Sequence, residues 1–146
     1  MKKYILLCLS LIFILSCDSD GVNYNNKYLP NYNFRIDIDM NLPLYTGLQY
    51  PVNPVFINQV GVGINGIIVM NTGGGGYKAF DASCPNQPLT DCSLMTIEGA
   101  YAVCPCDNVK YSLFDGSPNV ADDAHPYFLK PYRVTVTSAT SISVSN

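Results

Sequence analysis

Residues 102–118 read AVCPCDNVKYSLFDGSP, and the fold turns on what this stretch does. Cys104 and Cys106 bracket Pro105, and the upstream segment ASCPNQPLTDC, residues 82–92, brings Cys84 and Cys92. Short apolar pieces flank the cysteines, AYAVCP before the pair and VKYSLF after it. Each is brief and bounded by Gly, Pro, Asn or Asp, which marks strands and turns and not helices.

The same texture extends outward. FRIDIDM at 34–40 alternates, with Phe34, Ile36, Ile38 and Met40 on one face and Arg35, Asp37 and Asp39 on the other. That is a half-buried strand, and Pro43 ends it. PVFINQVGV, GIIVMNT, YKAFDAS and SLMTIEG are further short runs. YFLKPYRVTVTS sets Tyr132, Val134 and Val136 against Arg133, Thr135 and Thr137, and SISVS closes the chain. No window sustains a helical period beyond about two turns. Many short strands with turn signals between them predict an all-β domain over residues 33–146, an antiparallel sandwich or barrel. The Gly73–Gly76 run lacks the Gly-Lys-Ser/Thr of a phosphate loop and falls between two strands, so it reads as a hairpin turn.

The N-terminus follows other rules. MKKYILLCLSLIFILSC has two lysines, an apolar run from Tyr4 to Leu15, then Ser16-Cys17, the layout of a secretory signal peptide over residues 1–16. The run is too short to span a bilayer comfortably. Ile14-Leu15-Ser16-Cys17 resembles a bacterial lipobox, which implies that Cys17 becomes the new N-terminus and carries lipid. The expected location is the cell envelope, with the chain held to a membrane on its periplasmic face or at the cell surface. Residues 18 to about 32, polar and Asn-rich, read as a flexible tether. Without Lys2 and Lys3 the chain keeps 6 basic against 11 acidic side chains, a net charge of −5. No basic cluster survives, which argues against nucleic acid as a partner.

Cys84, Cys92, Cys104 and Cys106 remain in the domain. An even number in an exported chain reads as disulfides. A Cys104–Cys106 bond closes a very tight ring and is disfavoured. Two connectivities stay open: 84–104 with 92–106, or 84–106 with 92–104.

The order of motifs resembles a Rieske domain. That family places Cys-x-His in one loop and Cys-Pro-x-His-Gly in a second, each loop giving a Cys to one iron and a His to the other. Here Cys84-Pro85-Asn86 is followed by Cys104-Pro105-Cys106-Asp107-Asn108. Tyr111-Ser112-Leu113-Phe114-Asp115-Gly116 keeps the spacing of Phe-Asp-x-x-x-Gly, and Leu129-Lys130-Pro131-Tyr132-Arg133-Val134 matches Leu-x-x-Tyr-x-Val. The resemblance spans residues 33–146. It implies a small subdomain carrying the two loops on a larger antiparallel domain, and a [2Fe–2S] centre that transfers electrons.

The ligands depart from that pattern. Of the positions equivalent to the four cluster ligands, Cys84 and Cys104 are kept, but Asn86 and Asp107 replace the histidines. The single histidine, His125, lies outside both loops in sequence, and Asn108 replaces the glycine, at a position where Asn tolerates left-handed backbone. Asn is a poor iron ligand, and Asp is a hard oxygen donor. In the family the two ligand cysteines share one iron, so without metal they are expected to oxidise to each other. Some members also carry a second disulfide between the loops. The resemblance therefore implies Cys84–Cys104 and Cys92–Cys106, with no cofactor. The alternative is a metal site, [2Fe–2S] or zinc, on Cys84, Cys92, Cys104 and Cys106. A redox-active disulfide is a third reading, although no Lys or Arg flanks Cys104 or Cys106 closely enough to lower a thiol pKa, Lys110 being the nearest.

No catalytic motif competes. Gly-x-Ser-x-Gly is absent, and Asp122 and Asp123 beside His125 read as a solvated loop. Asp37 and Asp39 read as surface groups, and most of the 11 tyrosines and 6 phenylalanines as core. The expected function is a binding or structural role for an envelope lipoprotein with no catalysis of its own. The alternative is an electron carrier.

Overall fold

A computed structural model describes residues 26–146. The signal peptide expected at 1–16, Cys17 and the first part of the expected tether lie outside the described residues. Among the described residues the architecture is all-β and antiparallel throughout the named strands, with one 3₁₀ turn at Thr46–Gln49.

Nine strands form: β1 (Arg35–Asp39), β2 (Val55–Ile57), β3 (Ile67–Gly73), β4 (Gly76–Asp81), β5 (Thr96–Glu98), β6 (Tyr101–Val103), β7 (Lys110–Ser112), β8 (Pro131–Ser138) and β9 (Ser141–Ser145). Six of them make one sheet in the order β1-β9-β8-β4-β3-β2. The other three, β5-β6-β7, make a small sheet inserted in the chain between β4 and β8. This insertion is the subdomain that carries the cysteine loops.

Alternation along β1 holds. Ile36, Ile38 and Met40 are buried, and Phe34 packs edge-on against Tyr132 at 4.7 Å between ring centroids. β3 is buried on both faces, which is why its sequence is a continuous apolar run. Ile67 and Val69 join the core of the large sheet, while Ile68 and Met70 face a second core under the small sheet. A strand between two cores cannot show the one-sided pattern of β1. β8 leaves the core as it proceeds: Tyr132 is buried, Val134 half-buried and Val136 52% exposed.

The Gly73–Gly76 run turns β3 into β4. Gly74 and Gly75 both have positive φ, 61° and 81°, the backbone that tight hairpins favour. Gly116, last residue of the Tyr111–Gly116 motif, also has positive φ (81°), and a Cβ there would sit 3.0 Å from Phe80 and 3.3 Å from Leu129. Only glycine meets both demands.

One joint couples the two halves of the large sheet. β4 and β8 pair through only Ala79↔Tyr132 and Phe80↔Pro131. Beside them the buried Asp81 carboxylate accepts from Tyr132 Oη (2.7 Å), Ile64 N (2.7 Å) and Ser83 N (2.8 Å). Burial, then the charge of Asp81, pushes the Tyr132 phenol far up.

The domain's contacts reach back past Asn33 to residue 26. Leu29 is 2% exposed, Asn26 donates to Pro85 O at 2.6 Å, and the buried Lys130 meets Asn31 Oδ1 through its ammonium. The segment 26–32 thus lies as a strap along the domain. Leu29→Ala is expected to lower stability by about 2–4 kcal/mol, the usual cost of truncating a buried leucine. Urea unfolding of the purified chain checks this; a change under about 0.5 kcal/mol would mean that the strap is not part of the cooperative unit.

Candidate functional site

The site is built from the loop after β4 and the loop between β6 and β7. Two disulfides join them. Cys84–Cys104 has its Cα atoms 5.5 Å apart and Cys92–Cys106 5.3 Å apart. This is the pairing that the resemblance implies. Cys84 and Cys104 are buried, at 1% and 0% exposure, and their sulfurs belong to the second core with Met70, Phe80 and Tyr111. The other bond lies outside it, with Cys92 exposed and Cys106 half-buried. The Sγ atoms of Cys84, Cys104 and Cys106 all lie within 4.8 Å of one another, so the two bonds are stacked.

Local backbone explains the second loop. Asp107 Oδ1 accepts from Val109 N at 2.9 Å, Cys104 O accepts from Asn108 N at 2.8 Å, and Asn108 takes φ +62°. Asn is among the few residues that adopt that backbone readily, so the turn is kept without glycine.

Asn86 is fully engaged. Its amide donates to Tyr111 Oη (2.9 Å) and Tyr127 O (2.8 Å), and its oxygen accepts from Tyr127 N (2.8 Å). It clips the first loop to the segment before β8 as a peptide group in a ladder would. Burial pushes the Tyr111 phenol up to about 12, against the opposing pull of the Asn86 hydrogen bond.

His125 is the contact that sequence spacing did not disclose. It is 18 residues beyond Asp107 yet returns to it, with Nε2 3.5 Å from Asp107 Oδ2 and Nδ1 2.7 Å from Asp122 Oδ1. The hydrogen bond from the imidazole holds the Asp122 carboxyl below the usual carboxylate range. The chain's only histidine therefore stands between two carboxylates. An open cleft of about 420 Å³ adjoins it, lined by Pro118, Val120, Asp122, Pro126 and Phe128 among others. Two further contacts touch the sulfurs: Gln87 Nε2 donates to Cys104 Sγ at 2.9 Å, and Thr90 Oγ1 lies 3.3 Å from Cys92 Sγ. Nothing in the spacing of Gln87 and Thr90 marks them, because the contact exists only once the loops close.

The donor set does not fit a Cys₂His₂ [2Fe–2S] centre. Both ligand-equivalent cysteines are bonded to each other, Asn86 is consumed by Tyr111 and Tyr127, and Asp107 faces Val109 and His125.

Two solved structures are similar in fold. One is described as the complex of reduced oxygenase and oxidized ferredoxin in carbazole 1,9a-dioxygenase. It is 17% identical, with 80% of this chain and 94% of that chain covered and a TM-score of 0.48. The other is the ferredoxin of carbazole 1,9a-dioxygenase from Nocardioides aromaticivorans, again 17% identical, covering 78% and 97%, with a TM-score of 0.47. No family profile matches the chain, and no curated protein does.

The tyrosine environment gives a prediction. The folded chain holds the Tyr111 proton to about pH 12, whereas an unfolded tyrosine releases it near 10. Stability carried by the neutral phenol is complete below about pH 10 and is lost as pH rises toward 12. Tyr132, raised in the same direction, adds to the loss. Unfolding at pH 9 and pH 11.5 measures it, and Tyr111→Phe should reduce the difference; an unchanged difference would remove Tyr111 as its source.

Proposed function

We propose that this chain is an envelope lipoprotein, anchored through lipid on Cys17, whose Rieske-like domain has given up the iron–sulfur centre and serves a binding or structural role. One observation carries the reading: every position equivalent to a cluster ligand is committed elsewhere. Cys84 and Cys104 are cross-linked, Asn86 is a hydrogen-bonding clip, and Asp107 caps its own loop. Disulfides supply the restraint on the loop tips that a cluster supplies in the family, each stabilising by about 3 kcal/mol on the loop-entropy account. The cleft beside His125, formed within residues 117–128, is a concave surface of mixed apolar and acidic character, suited to a small or peptide ligand.

A second reading is electron transfer by a centre held on cysteine alone. The proximity of the Cys84, Cys104 and Cys106 sulfurs favours it, with Cys92 as the fourth thiolate. It requires both disulfides to be open, because only thiolates bind metal. Native mass spectrometry of the exported chain, purified without reductant, separates the two. The proposal expects a mass four hydrogens below the reduced chain and no metal. Added mass matching Fe₂S₂ or zinc overturns it in favour of the four-cysteine site.

The anchor has its own test. The exported protein should partition into the detergent phase of Triton X-114, and Cys17→Ser should move it to the aqueous phase. Aqueous partition of the unsubstituted protein would remove the lipid from the proposal.

A further inference from the structure

We propose that the stacked disulfides form a two-stage thiol–disulfide exchange site, in which the exposed Cys92–Cys106 bond accepts an electron pair from a dithiol and Cys106 relays it to the buried Cys84–Cys104 bond. Three observations carry this. The outer bond is reachable from solvent at Cys92, while the inner sulfurs are sealed in the core. Cys106 Sγ lies within 4.8 Å of both inner sulfurs, so a thiolate released there is already beside its target. Donors stand at the sulfurs that must leave: Gln87 Nε2 at 2.9 Å from Cys104 Sγ, and Thr90 Oγ1 at 3.3 Å from Cys92 Sγ and 3.9 Å from Cys106 Sγ. A hydrogen bond to sulfur favours the thiolate over the bonded form and so improves the leaving group.

The exchange balances as follows. One thiolate of the dithiol attacks Cys92 Sγ; the Cys92–Cys106 bond breaks and Cys106 leaves as a thiolate. The second thiol of the reductant closes on its first sulfur and expels Cys92, so the reductant is oxidised to its disulfide and the outer pair is reduced to two thiols. Cys106 then attacks Cys84 Sγ. The Cys84–Cys104 bond breaks, Cys104 departs as a thiolate onto the Gln87 amide, and a Cys84–Cys106 bond forms. This last step moves no electrons into or out of the chain; it oxidises Cys106 and reduces Cys104. It shifts the reduced pair from Cys92 and Cys106 to Cys92 and Cys104, and it brings Cys84 into a bond with a partly exposed partner that a second dithiol can open. The second connectivity left open by the sequence, 84–106 with 92–104, is the one this route reaches on reoxidation.

The test is limited reduction of the full exported chain with dithiothreitol, trapping with iodoacetamide, and mapping of the labelled cysteines in the species that has gained one electron pair. The relay expects label on Cys92 with Cys104 in at least a tenth of that species, beside label on Cys92 with Cys106. Gln87→Ala should lower the first fraction severalfold. Label confined to Cys92 and Cys106 overturns the proposal and leaves two independent cross-links. A pair of variants checks the same point with the outer bond absent in both. Cys92→Ser keeps the relay thiol and Cys106→Ser removes it, so the inner bond should open at least tenfold faster in Cys92→Ser. Equal rates overturn the relay, because loosening of the loops is common to both variants.

Discussion

The cysteine end of this molecule depends on the Cys84–Cys104 cross-link. It joins the loop that leaves β4 to the loop between β6 and β7, and it does so inside the second core, where its sulfurs pack with Met70, Phe80 and Tyr111. A bond between loops 20 residues apart restrains the unfolded chain, and its burial adds apolar contacts in the folded one. The outer Cys92–Cys106 bond, the Asn86 clip to Tyr127 and the His125 contact with Asp107 all hold surfaces that the inner bond has already brought together.

The rest of the domain is arranged to present that end. β3 and β4 separate two cores, so the small sheet packs over the opposite face of these strands, on Ile68, Met70 and Phe80. The buried Asp81 carboxylate, with its three donors, fixes β4 against β8 where the ladder is only two pairs long. Removing a partner there would strand a buried charge, a larger cost than one lost hydrogen bond. The loops therefore emerge from a joint that has little freedom to shift.

The side chains of Asn86 and Asp107 form one consistent set. Asn86 offers both a donor and an acceptor and uses them on a backbone peptide, while Asp107 offers an acceptor to its own turn. Each side chain is engaged by bonds within the protein. The relay proposed above uses what stands beside them, four cysteine sulfurs in two bonds with hydrogen-bond donors at hand.

The sequence by itself determined the all-β class, the strand at 34–40 and the glycine hairpin at 73–76, because alternation and turn chemistry are local properties. Tertiary structure decided the rest. Whether 84 pairs with 104 or with 106 depends on how two loops face each other across the second core, and no spacing contains that. Residues 26–32 read as polar tether, yet Leu29 is buried, and Asn26 and Asn31 bond to Pro85 and Lys130, partners distant in sequence. His125 lay outside both loops in the sequence and stands beside Asp107 in space, since the segment before β8 folds back across the site. Such contacts join residues that only the closed fold brings within reach, which is why the chemistry of this site became legible only there.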